Sequence, residues 1–226
     1  MKKYLLPVLF ASSLAISFSC GTRLGNYLLT EGDAASAIRQ MLEIGAKDNF
    51  ASGAFSKETI LTTMFPGAVS KTLNTINQLG LTSEVDRFTT TLSTAAEKSA
   101  TASVPLFVNS INKMSFNDAM RIIKTGGSSA TDYLRSAAGD TLRRSLRPVM
   151  QNALNEYKLV EQWDKIVKPV QSLTGNKINI DLATLMAGAV SEAMFRKIAE
   201  KEVQVRSDAA ARTTPLLQKV FSRSWN

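Results

Sequence analysis

Apolar residues recur every three or four positions along almost the whole chain, and no stretch sustains an alternation of period two. Three-to-four spacing lines one face of an α-helix, whereas a half-buried strand needs alternation, so the pattern predicts an all-α fold without sheet. Gly and Pro punctuation divides it into a single compact multi-helix bundle with several short and Pro-kinked helices. Asp33 reads as the N-cap of a first helix carrying Ile38, Met41 and Leu42 and ending at Gly53. A short helix after Ser56 turns Ile60 and Leu61 inward, before Pro66-Gly67. Val69, Leu73 and Ile76 then share a face of a helix closed by Gly80.

From Thr82 to Ala102 the stripe is Val85, Phe88, Leu92, Ala95, Ala96 and Ser99. Pro105 reads as a first-turn residue of the next helix, where its missing N–H is harmless. Ser115 with Asp118 three residues on resembles a capping box for a short helix carrying Ala119, Ile122 and Ile123. Gly126-Gly127 stops that helix and Ser128 or Ser129 opens another, which Pro148 should kink or break. A further break is expected from Pro169 to Gly175. The last long helix runs from about Asp181 to Val205, with Leu182, Leu185, Met186, Ala189, Val190 and Met194 on its buried side. Thr213-Thr214-Pro215 begins a terminal helix that ends around Phe221.

The N-terminus is organised differently. Lys2 and Lys3 precede an apolar run from Tyr4 to Phe18, and the only cysteine follows at Cys20. A basic start followed by about 15 apolar residues is the pattern of a secretory signal, and it is short for a bilayer span. Two cleavage readings stand side by side. Ser17 and Ser19 suit an ordinary signal peptidase, while Ser17-Phe18-Ser19-Cys20 resembles a relaxed lipobox with Cys20 as the acylated residue. A lone thiol in an oxidising compartment has no internal disulfide partner, and acylation would consume it. The expected organisation is therefore residues 1–19 as signal peptide, 20–30 as lipidated N-terminus and tether, and 31–226 as helical domain. Gly21-Thr22 after the cysteine, with no Asp, points to the outer membrane of a bacterial envelope.

Cleavage would leave 226 − 19 = 207 residues with 25 basic and 19 acidic side chains, a net charge of +6. In an exported protein that excess suits anionic lipid or an envelope protein, and aromatics do not interleave with the basic residues as base stacking requires, so nucleic acid is not an expected partner. The chain has no histidine. That removes the commonest general base and the commonest metal ligand together, and with them Ser-His-Asp and zinc chemistry. Carboxylate pairs, a Ser-Lys arrangement or a hard cation on Asp and Glu are what an enzyme would have left. No cofactor and no metal is expected.

The candidate site is the stretch from Asp118 to Arg135. Gly126, Gly127, Ser128 and Ser129 open a helix, so free backbone N–H groups, hydroxyls and the positive end of the helix dipole gather at one place, with Thr131 and Tyr133 one turn on. Arg121, Lys124 and Arg135 can add charge for an anion. The competing reading makes every one of these bonds structural: Gly126 ends one helix, Gly127 turns the chain and a serine caps the next. Ser128 or Ser129 with Lys124 could form a nucleophilic pair only if the lysine were buried. Asp118 and Asp132 are too few carboxylates for a calcium loop.

Arg143, Arg144 and Arg147 share a helix side, either as a headgroup contact or as an ion-pair ladder with Asp140. Arg206, Arg212 and Arg223 read as similar solvated residues. Trp163 sits at core spacing among Leu159, Val160 and Ile166, and both it and Trp225 read as packing residues.

Pro105-Leu106-Phe107, Ile111, Met114, Asp118-Ala119, Gly126, Ala130-Thr131, Tyr133 and Arg135, with the C-terminal Ala210-Ala211-Arg212-Thr213-Thr214, Leu217 and Lys219-Val220-Phe221, resemble the uncharacterised bacterial family called domain of unknown function 4197. The resemblance spans about residues 31 to 222. It implies an exported helical protein and brings no assigned activity. Arg212 and Thr213 of its C-terminal motif join the candidate binding residues. Ser128-Ser129 stand where similar sequences often carry acids, which argues against a shared metal. The expected function is a lipid-anchored envelope module for binding or scaffolding; the alternative is an envelope enzyme, or a lipid or anion transfer protein, that uses the Gly126 to Arg135 loop.

Overall fold

The computed structural model describes residues 29–50, 53–64, 79–174 and 181–222. All regular structure among them is helical: α1 (Glu31–Lys47), α2 (Lys57–Met64), α3 (Thr82–Lys113), α4 (Ala119–Thr125), α5 (Ser129–Glu156), α6 (Leu159–Thr174), α7 (Leu182–Ser207), a 3₁₀ turn (Ala209–Ala211) and α8 (Pro215–Phe221). Cys20, the segment with Val69, Leu73 and Ile76, and Arg223 and Trp225 lie outside the described residues, as does the side chain of Leu61.

α1 starts earlier than expected. Thr30, not Asp33, is its N-cap: the Thr30 hydroxyl accepts the Asp33 N–H at 3.0 Å, and the Asp33 carboxylate accepts the Thr30 N–H at 3.2 Å. Asp33 is the reciprocal partner of a capping box and places a negative charge in the first turn. The helix stops at Lys47, well before Gly53, with Asp48 as C-cap.

The stripe predicted for α3 is buried as read, and Ser103, Phe107 and Ile111 prolong it, because Pro105 does not start a new helix but lies inside a helix of 32 residues. Pro148 and Pro169 are likewise interior, so neither breaks its helix. A proline leaves the carbonyl four residues before it without a helical donor. Those carbonyls belong to Thr101, Arg144 and Lys165, all exposed residues, so water can accept the role of the lost N–H.

The Ser115 capping box does not form. The Ser115 hydroxyl bonds to the Asn117 side chain at 3.0 Å, and Asp118 holds the N-cap position at φ 62° without a side-chain cap bond. An orphan N–H of α4 is instead taken from outside, Met120 donating to the Glu31 carboxylate at 3.2 Å.

α7 is the central element, packed on α1 along one side and on α5 along another. At Gly45 of α1 an added Cβ would lie 3.0 Å from the Ile198 Cα, so this glycine sets the close approach of the two helices. Leu182, Met186, Val190, Met194 and Ile198 follow one another at four-residue spacing and are all buried. Leu185 and Ala189 are only partly buried against that core. α8 closes the bundle as predicted, with Thr214 capping Leu217 at 3.2 Å and reaching Gln40 of α1 at 2.9 Å.

Candidate functional site

The Gly126-Gly127 turn, with φ of 76° and 56°, reverses the chain between α4 and α5 and sets the C-terminus of one beside the N-terminus of the other. One end exposes carbonyls and carries partial negative charge; the other exposes N–H groups and carries partial positive charge. Donors for an anion are therefore present where the sequence puts them.

Their acceptor is the protein's own Glu202. The N–H groups of Ala130 and Thr131 donate to the two Glu202 carboxylate oxygens at 2.9 and 2.8 Å, and the Thr131 hydroxyl donates to the second oxygen at 2.7 Å. Glu202 is fully buried. One turn further along α7, Arg206 donates to the same carboxylate from Nε at 3.0 Å and from Nη2 at 2.8 Å. The rest of its guanidinium faces α4: Nη1 donates to the Ile123 carbonyl at 2.9 Å, and Nη2 to the Ile122 carbonyl at 3.2 Å and the Ser129 hydroxyl at 3.1 Å. The Phe221 ring covers it, 5.3 Å from the guanidinium carbon to the ring centroid. One i, i+4 pair on α7 thus neutralises both helix ends at the turn, acid to the N-terminus and base to the C-terminus.

The serines do not cap α5. Ser129 donates its hydroxyl to the Ile122 carbonyl at 2.8 Å, and Ser128 donates to the Asp132 carboxylate at 3.1 Å. Neither hydroxyl is hydrogen-bonded to Lys124, which is exposed on α4, so the buried lysine that a Ser-Lys nucleophile needs is not formed.

The other candidate residues are dispersed. Asp118 and Arg121 pair with each other at the surface. Tyr133 donates its hydroxyl to the Ser115 carbonyl at 3.0 Å and leans on Phe116. Arg135 pairs with Glu192 and stacks on Phe195, with 4.6 Å to the ring centroid. Glu192 is ten residues from Glu202, about 15 Å along the helix. Arg212 is no solvated residue: Nε and Nη2 donate to the Val205 and Arg206 carbonyls, both at 2.9 Å, and cap the end of α7. Thr213 is exposed and its N–H turns back to the Ala211 carbonyl at 3.1 Å. The Asp140 ladder reduces to a pair with Arg143 at 3.3 Å, because Arg147 reaches Asp181 at 3.0 Å and Arg144 reaches Thr141. Hydrogen bonds from Thr184, then the Arg147 guanidinium, hold the Asp181 carboxyl down at about 2.

A second seal on α7 uses the opposite charge. Lys197 is buried, donates to the carbonyls of Ala46 at 3.0 Å and Asp48 at 2.7 Å at the end of α1, and lies 4.1 Å from the Phe50 ring centroid. Burial pushes its ammonium below the ordinary lysine range, against the charge of Asp48. A hydrogen bond from Lys201, 2.8 Å away, holds the Asp48 carboxyl below the usual carboxylate range.

Depressions open at the surface among the described residues. One of about 300 Å³ has Leu154, Trp163, Val167 and Leu182 in its lining, and one of about 200 Å³ lies beside Phe50, Arg196 and Lys197. Neither includes a residue of the Gly126 to Arg135 stretch. Trp163 packs on Phe88, 5.4 Å between centroids, as its spacing predicts.

Sequence reasoning missed Glu202 and misplaced Arg206 at the surface. A signal existed: Glu202 continues the four-residue series of Leu182 to Ile198, so a carboxylate stands on the buried row and needs internal partners. Among the described residues no helix is long and apolar enough to cross a membrane. No curated protein and no solved structure matches the chain. The family model described as a protein of unknown function, DUF4197, matches residues 28–222, which carry the α4–α5 turn and both α7 seals, and the chain belongs to that family.

Proposed function

We propose that this family member is an exported envelope protein, anchored by a lipidated Cys20, whose helical domain serves as a binding or scaffolding module. The observation that carries the non-catalytic part is the occupancy of the α4–α5 turn. The Ala130 and Thr131 N–H groups are spent on Glu202, and the Thr131 and Ser129 hydroxyls on Glu202 and the Ile122 carbonyl. A substrate or transferred anion would have to displace a buried carboxylate that is itself paired with Arg206, which favours a structural role for this junction over the transfer reading. The anchor rests on the basic start, the apolar run and the lone cysteine at its end.

One experiment has two arms. In the producing bacterium, wild-type protein should incorporate labelled fatty acid and sediment with membranes, while Cys20→Ser should do neither; full membrane retention of Cys20→Ser would remove the anchor. In the purified domain, millimolar phosphate should leave the amide resonances of Ala130 and Thr131 in place. A saturable shift of those two amides would restore the anion-transfer reading.

A further inference from the structure

The start of α1, the end of α3 and the start of α4 share one end of the bundle. Glu31 accepts the Met120 N–H at 3.2 Å, Arg39 donates to the Met114 carbonyl at 3.1 Å, and Tyr133 adds the first turn of α5 by donating to the Ser115 carbonyl at 3.0 Å. The opposite end is where α2 and the residues before it meet the first third of α3, through the Lys57–Asp86 pair and the Ser93 hydroxyl on the Phe55 carbonyl. Between the two ends α3 runs for 32 residues, about 48 Å at 1.5 Å per residue.

Ten residue steps separate Cys20 from Thr30 in the sequence, a reach of at most about 36 Å even fully extended. That is shorter than α3. A chain held in a bilayer by Cys20 therefore cannot stand upright on its Thr82 end with Thr30 at the far end. Among the described residues the flanks offer little apolar surface to lay the bundle on its side: the exposed large hydrophobics are Val160 and Val203. From residue 31 on the chain carries 27 − 3 = 24 basic against 19 acidic side chains, a net of +5, and of the α5 arginines Arg143 is paired with Asp140 and Arg147 with Asp181. Among the described residues no exposed apolar strip competes with the tether.

We infer that the α1–α3–α4 end of the domain faces the phospholipid surface and that the α2 end projects into the aqueous space. This rests on the Cys20 anchor. The test uses the full chain in the producing bacterium, with p-benzoylphenylalanine in place of Lys113 or of Arg87, both exposed on α3 but near its opposite ends. Irradiation of cells fed radiolabelled phospholipid precursor should give a lipid adduct at position 113 and lose it at position 87. Equal adducts at both positions, an adduct at 87 alone, or none at either with fatty acid confirmed on Cys20 would each overturn the orientation. Absence of fatty acid on Cys20 fails the anchor itself, a result read from the unsubstituted chain before any irradiation, and the orientation falls with it.

Discussion

Two junctions abut the same stretch of α7, the α4–α5 turn and the end of α1, and the protein seals them in opposite ways. At the N-terminus of α5 a fully buried carboxylate accepts two backbone N–H groups and brings its own counter-ion, Arg206. At the C-terminus of α1 a buried ammonium donates to two carbonyls and rests on an aromatic ring, with its nearest acid, Asp48, engaged by Lys201. Each charge matches the dipole end it meets. The difference lies in what is left behind when one member is removed. Loss of Glu202 strands a guanidinium that is largely buried, whereas loss of Lys197 strands only carbonyls, which tolerate partial satisfaction better than a charge does.

The largest expected effect breaks the comparison at its stronger member. Glu202→Ala should destabilise the domain by about 3–5 kcal/mol, the cost of orphaning a buried ion with its helix donors, read as a lowered urea midpoint in circular dichroism. Lys197→Met keeps the apolar stem and leaves two carbonyls short of a donor, for a loss of about 1–3 kcal/mol in the same titration. If Lys197→Met proves the more damaging of the two, the distinction between a paired and a carbonyl-bound charge is wrong. The smallest effect sharpens the α1 side. Asp48 is held below its ordinary range, so its contribution is present above pH 3.8 and is lost as pH falls through its lower folded value. Asp48→Asn should therefore flatten the stability profile below about pH 4. As the pair with Lys201 is partly exposed, its loss near neutrality should stay below about 1 kcal/mol. An unchanged acid limb in Asp48→Asn would remove this carboxylate from the account of the seal.

Much of the fold was legible because it is local. The stripe from Val85 to Ser99 needs only helical spacing, and the Thr214 cap with Pro215 needs four residues of sequence. Three interior prolines do not end their helices, because the carbonyls that lose a donor belong to the exposed Thr101, Arg144 and Lys165, and a proline's place in the sequence does not tell which side of the helix loses the bond. The Thr30 cap is hidden because the apolar face of Ile38, Met41 and Leu42 points to Asp33 as the nearer cap. For the candidate site, the backbone donors of α5 were legible from two glycines and two serines, but their acceptor lies 71 residues away from Thr131. Periodicity cannot reveal such a partner, although an acid on a buried row announces that one must exist.

The position of α7 in the chain order also governs synthesis. Residues 197 to 206 come from its second half and hold the ends of α1, α4 and α5, all made earlier. A nascent chain stopped short of Lys197 carries those helices with their termini open, so the bundle can only be completed once the second half of α7 has left the ribosome.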